Sequence, residues 1–220
     1  MYRDRASSDK ESDNAAPWSA AGGAGTDLAL IAPAGHYIAL RIGFAYPIEE
    51  VNALPQPWVE RYTREGLMMA DPVVHWVHGR QGAARWSELA FGDPRGVLAA
   101  AAETGLRFGV AVSVLDPGPS GQRSWGTFAR ADREFTDEEI ALLEAELRAR
   151  HDALAPPTNI TKAELEALRL VKDGQRLKQI AWQLGVTEGA VKQRLKSARL
   201  KLEAKTGAEA ISRAASFGLI

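Results

Sequence analysis

LKQIAWQLGVTEGAVKQRL, residues 177–195, is the stretch that decides the fold of the C-terminal part of this 220-residue chain. Its apolar spacing predicts a helix from about Leu177 to Leu184, a tight turn at Gly185, and a second helix that starts after Thr187 and continues to about Glu203. Ile180, Leu184, Val186, Val191 and Leu195 would pack the pair, Ala181 is small enough for close approach, and Gly185 can take the positive φ of the turn. Thr187 is placed to cap the second helix. On that helix Val191, Leu195, Ala198 and Leu202 fall at i, i+4, i+7 and i+11 and make a buried stripe. Lys192, Lys196 and Arg199 make a neighbouring basic stripe, with Arg194 and Lys201 also available. An apolar inner face and a basic outer face suit the major groove of double-stranded DNA, where phosphates attract the cations and Lys192, Lys196 or Arg194 reaches base edges. The alternative is a solvated basic face without a partner.

Upstream, Thr161 and Glu164 form a capping box that opens a helix carrying Leu165, Leu168, Leu170 and Val171, with Gly174 placed to stop it. Pro156-Pro157 makes a stiff linker, assigned to 155–158, because neither proline continues a helix. Charge divides at the same place. From Thr158 onward there are 12 basic and 6 acidic residues, net +6, against 15 and 22 before it, net -7, although the whole chain carries only -1. Such asymmetry implies that the C-terminal part, 159–220, meets a polyanion.

The N-terminal part is mixed. Residues 1–27, rich in Asp, Ser, Ala and Gly, are expected to be a disordered or loosely ordered tail. YIALRIGFAY, 37–46, alternates and predicts one strand, with Ile38, Leu40, Ile42, Phe44 and Tyr46 on one face. Short helices are expected at Pro57 to Glu65 and Arg95 to Thr104. RFGVAVSVL and Ser124 to Arg130 are expected as partner strands across a Gly- and Pro-rich turn. Thr136 and Glu139 cap an amphipathic helix with Ile140, Leu143, Leu147 and Leu154 near one face, which closes a first domain over 28–154. The residues thus describe an α+β protein, helices on a mainly antiparallel sheet followed by an all-helical module.

Several classes are disfavoured. There are no cysteines, so disulfides and thiolate metal sites are absent and a cytoplasmic setting is the default. The first residues lack the apolar region of a secretory signal, and the longest apolar stretch, Leu28 to Leu40, is too short and broken to span a bilayer. No phosphate-binding glycine loop or nucleophile elbow occurs, so no enzyme, catalytic residue or cofactor is predicted. His75 and His78 are expected at a surface or pocket edge, not on a metal.

Trp58 and Tyr62 lie i, i+4 on one helix and face the same space, with Asp71-Pro72 and Trp86 following. Aromatic walls around one buried carboxylate make an apolar pocket with a polar anchor. Taken alone, these residues fit an ordinary core in which Asp71 caps a turn before Pro72 somewhat better than a pocket.

The C-terminal module resembles the DNA-binding domain of the LuxR family of quorum-sensing regulators, in its TraR-like branch. Glu164, Leu168, Gly174, Ile180-Ala181, Leu184, Thr187, Val191-Lys192, Leu195, Lys201-Leu202 and Ala210 carry the match. The spacing Trp-x3-Tyr-x8-Asp-Pro-x13-Trp, with Gly105 and the GVAVSV strand, is similar to the family's autoinducer-binding domain. The resemblance implies an α-β-α sandwich enclosing an N-acyl-homoserine lactone, then a four-helix domain whose third helix reads the operator, with a homodimer as the usual form. It also implies residue roles: the Trp58 N–H to the lactone carbonyl, Asp71 to the amide N–H, Tyr62 and Trp86 as headgroup walls, Thr127 near the acyl chain, and Thr187, Lys192, Arg194, Lys196 and Arg199 at DNA.

There are departures from the pattern. Leu54 stands where many members have a tyrosine that donates to the ligand's amide carbonyl, and leaving that atom unpaired costs about 1–3 kcal/mol. Val73 offers no hydroxyl, Arg194 replaces a common histidine, and no extended helical N-terminus is visible before His36. Leu54 and Val73 favour a second reading, a ligand-independent or partner-controlled regulator with a filled pocket.

Overall fold

The computed structural model describes residues 27–43, 46–89, 92–118 and 121–220. Five strands form one sheet: β1 (Gly35–Ile42), β2 (Pro47–Asn52), β3 (Gly82–Arg85), β4 (Phe108–Leu115) and β5 (Arg123–Arg130), in the order β2-β1-β5-β4-β3. Each pairing is antiparallel. Alternation along the strands sends side chains to two faces, and both are covered. Ile38, Leu40, Val110, Val112 and Phe128 meet Leu143 and Leu147 of α5 (Asp137–Ala153) and Leu28 of the short α1 (Leu28–Ile31). On the opposite face Ala129 meets Trp58 of α2 (Gln56–Arg64) and Val97 of α4 (Val97–Glu103), while Ala111 meets Val73 and Val77 of α3 (Pro72–Gly79). The α-β-α layering follows.

Two expectations need correction. The strand predicted over 37–46 stops at Ile42. Arg41 takes a φ of 47°, and the register with β5 shifts between Ala39 and Ile42, which bends the edge. The chain then turns, with the Gly43 N–H donating to the Tyr46 carbonyl at 3.0 Å, and returns as β2. Tyr46 is consequently 81% exposed instead of sharing the face of Ile38, and Phe44 lies outside the described residues. The assigned tail also ends sooner than 27: Asp27 caps α1, its carboxylate accepting from the Ala29 N–H at 3.1 Å. Residues 1–26 of that tail lie outside the described residues.

The bend at Arg41 has a chemical counterpart. Its guanidinium, 1% exposed, donates to the His151 carbonyl at 2.7 Å and to Asp116 at 2.7 Å, and its backbone N–H donates to Ser124 Oγ at 2.8 Å. His151 completes a closed set, with Nδ1 2.7 Å from Ser124 Oγ and Nε2 2.9 Å from Asp116 Oδ1. A buried arginine is tolerable only with such partners.

Past the linker come α6 (Lys162–Lys172), α7 (Leu177–Gln183), α8 (Glu188–Lys201) and α9 (Gly207–Ser216). Leu170, Ile180, Ala181 and Val191 form the core of the α7–α8 pair, and Leu168, Ala198, Leu202, Ala210 and Ala214 a second one with α6 and α9. The turn ending α7 is a glycine motif. Gly185 has φ 62°, and the Val186 N–H reaches back to the Ala181 carbonyl at 3.0 Å.

Candidate functional site

The first site is a cavity of about 230 Å³ between the sheet and helices α2, α3 and α4. Trp58, Tyr62, Asp71, Trp86 and Thr127 all line it. Each is brought there by local structure. The α2 spacing puts Trp58 and Tyr62 on one side, their rings 5.4 Å apart. Asp71 caps α3, with one carboxylate oxygen accepting from the Val73 N–H at 2.8 Å and the other from the Tyr62 hydroxyl at 2.8 Å. It therefore caps a helix and faces the cavity at once, so the two sequence readings of Asp71 were not exclusive. Burial pushes its carboxyl above the ordinary carboxylate range, against the opposing pull of these two bonds. Burial, and then the Asp71 charge, likewise raise the Tyr62 phenol.

Trp86 lies over Gly109 of β4, where any Cβ would occupy the ring's place, and its indole N–H donates to the Thr127 hydroxyl at 3.2 Å. The Trp58 indole makes no hydrogen bond among the described residues, so its donor remains for whatever enters. The polar equipment of an otherwise apolar space is then one open indole donor, one buried carboxylate with spare lone pairs, and a threonine hydroxyl. Leu54 and Val73 line the cavity with hydrocarbon.

Sequence reasoning missed Tyr37, Trp125 and Leu106 on the wall. Tyr37 shares its strand face with Ala39, opposite to Ile38 and Leu40, and that alternation was the available signal. What covers the face was not. Among the histidines, His78 lines the cavity edge with Nδ1 2.8 Å from the Val74 carbonyl, and His75 Nε2 lies 3.0 Å from the Met69 carbonyl.

The second site is α8. Val191 and Ala198 are fully buried and Leu202 nearly so, which turns Lys192 and Lys196 outward as exposed side chains, with Arg194 half-buried beside them. Thr187 caps the helix, its hydroxyl accepting from the Ala190 N–H at 3.1 Å. Arg199 ties the helix to the segment that follows it, donating to the Ala204 and Lys205 carbonyls at 3.0 and 3.1 Å. Lys201 is not available to a partner as the spacing suggested. Its ammonium sits 2.9 Å from both Glu164 oxygens and donates to the Asn159 carbonyl, inside the module. Burial alone would raise the Glu164 carboxyl, but hydrogen bonds from Ser197, the Thr161 N–H and Lys201 outweigh it and hold the group at about 2.

Comparison with known proteins finds a match for each part of the chain. Residues 47–154 match the model of the autoinducer binding domain, and residues 158–214 match that of the bacterial regulatory proteins of the luxR family. The chain is 26% identical over 178 residues to the regulatory protein SdiA of Escherichia coli, covering 76% of this chain and 74% of that protein. It is 27% identical over 190 residues to the transcriptional activator AhyR of Aeromonas hydrophila, covering 77% and 72%. A crystal structure of Escherichia coli SdiA aligns over 84% of this chain and 83% of its own, with 26% identity and a TM-score of 0.48. The chain is therefore a LuxR-family quorum-sensing regulator that joins an autoinducer-binding domain to a helix-turn-helix DNA-binding domain.

Proposed function

We propose that this regulator takes an N-acyl-homoserine lactone or a related small molecule in the cavity of its first domain, about 28–154, and that occupancy favours the DNA-binding form of 159–220. The observation that carries this reading is convergence. Trp58, Tyr62, Asp71, Trp86 and Thr127, spread over seventy residues of chain, line one cavity that holds both an indole donor and a buried carboxylate. The Trp58 N–H would meet the lactone carbonyl and Asp71 the amide N–H, with Tyr62 and Trp86 as walls and Thr127 beside the chain. Thr187, Lys192, Arg194, Lys196 and Arg199 make up the DNA face, with Lys192 and Lys196 leading it because both are exposed. The protein acts as a cytoplasmic homodimer on paired half-sites and performs no catalysis. A ligand that binds only the folded state stabilises it by mass action. Adding a panel of lactones to the full chain is thus expected to raise its Tm and strengthen its grip on a duplex selected from a random pool. No response to any lactone would sink the ligand assignment.

A second reading, a ligand-independent or partner-controlled regulator, is favoured by Leu54, which offers no donor where one was expected. Mass spectrometry of molecules that co-purify with the native protein separates the two.

A further inference from the structure

The sheet floor of the cavity is laid out in rows by strand register. Gly35, Ala129 and Gly109 form the first row, Tyr37, Thr127 and Ala111 the second, and Ala39, Trp125 and Ser113 the third. The polar equipment gathers over the first two. Trp58 packs on Ala129, Trp86 lies over Gly109, and the Trp86 N–H bonds Thr127.

Past Thr127 the floor continues under α3 toward Val77, and Trp125 stands in that path. Its ring packs against the cluster of Val73, Val77 and Ala111 and lies 5.0 Å from the Tyr37 ring, tilted by 42°. The Ser113 hydroxyl, the next polar group on the floor, is used up in a 3.0 Å bond to the Val77 carbonyl. From the Ala129 row to the Trp125 row is four residues of strand, about 13 Å. A long acyl chain that runs from the polar end along the sheet floor under α3 meets an indole there, and a packed aromatic ring does not move aside without loss of its contacts.

We propose that Trp125, braced by Tyr37, is the end stop of the cavity, and that the ligand is of the short-acyl class and not a long-chain lactone. The inference rests on the reading of the cavity as an acyl-homoserine lactone site. Its test is the affinity of the full-length protein for N-butanoyl- and N-dodecanoyl-homoserine lactone, measured on the unaltered chain and on Trp125→Ala. The unaltered protein is expected to bind the butanoyl compound at least tenfold more tightly, and Trp125→Ala to gain at least tenfold for the dodecanoyl compound. Should the alanine variant fold poorly, Trp125→Leu, which keeps more of the packing, serves in its place. Equal affinity of the unaltered chain for both compounds overturns the stop and leaves the lactone reading intact. Binding of neither compound by either protein overturns the lactone reading and the stop with it.

Discussion

A single missing methyl group makes room for the Trp86 indole. A Cβ at position 109 would come far inside contact distance of the Trp86 ring carbons, so the cavity wall depends on that glycine. Gly109→Ala is expected to push Trp86 off Thr127 and lower stability by about 1–3 kcal/mol, read as a drop in urea midpoint at unchanged slope. At the DNA face, Lys192→Ala is expected to weaken binding to the selected duplex by about 1–3 kcal/mol if the ammonium reaches a base, and by less if it meets phosphate. Unaltered affinity removes Lys192 from the interface. Trp58, Tyr62 and Asp71 were legible as cavity candidates from i, i+4 spacing on a helix and a carboxylate before proline, whereas Thr127 came only from the resemblance. Tyr37 and Trp125 were not, since alternation assigns a strand residue to a face without saying which helix will roof it.

At the scale of elements, both threonine capping boxes were legible and both form, each Glu side chain accepting from the N–H of its own threonine. The further duty of Glu164 was not: Ser197 and Lys201 of α8 bond the same carboxylate across more than thirty residues of chain. Its folded value of about 2 lies below its ordinary 4.5, so the fold favours the ionised form. The resulting stability is complete above about pH 4.5 and is lost as pH falls toward 2, a difference of up to about 3 kcal/mol. Glu164→Gln is therefore expected to be less stable than the unaltered chain at pH 6, and the gap to narrow to a small part of that by pH 2.5. A constant gap in urea midpoint across that range would contradict the assignment. Besides the one-turn α1, three elements escaped sequence reading. Helix α3 has only eight residues, β3 is the four-residue GAAR without apolar alternation, and β2, PIEEVN, is an edge strand of mostly polar residues.

Across the whole molecule, the two domains touch through Gln122, whose amide donates to the Ser216 carbonyl at the end of α9 at 2.8 Å. Gln122 also lies 3.5 Å from the Arg41 guanidinium, and so borders the buried set of Arg41, Asp116, Ser124 and His151. His151 belongs to the last turn of α5, directly before the Pro156-Pro157 linker. Gln122→Ala is expected to free the modules from one another and to speed proteolytic cleavage of the linker several-fold, with a modest loss of Tm because the long, 3.5 Å bond from Arg41 is lost along with the one to Ser216. A cleavage rate like that of the unaltered chain would show that the contact does not hold the domains.

By itself the sequence determined the module order, the helix-turn-helix and its basic stripe, because caps, glycine turns and helical periodicity act within a few residues of one another. It also made Trp58, Tyr62, Asp71 and Trp86 candidates for one pocket, with an ordinary core left open until the resemblance was drawn. Only the tertiary structure decided that β1 breaks at Arg41, that Lys201 is tied to Glu164, and that Trp125 lines the cavity floor. Each of these depends on a partner tens of residues away, and which partner arrives is settled by sheet register and helix packing, neither of which is written in any local stretch of chain.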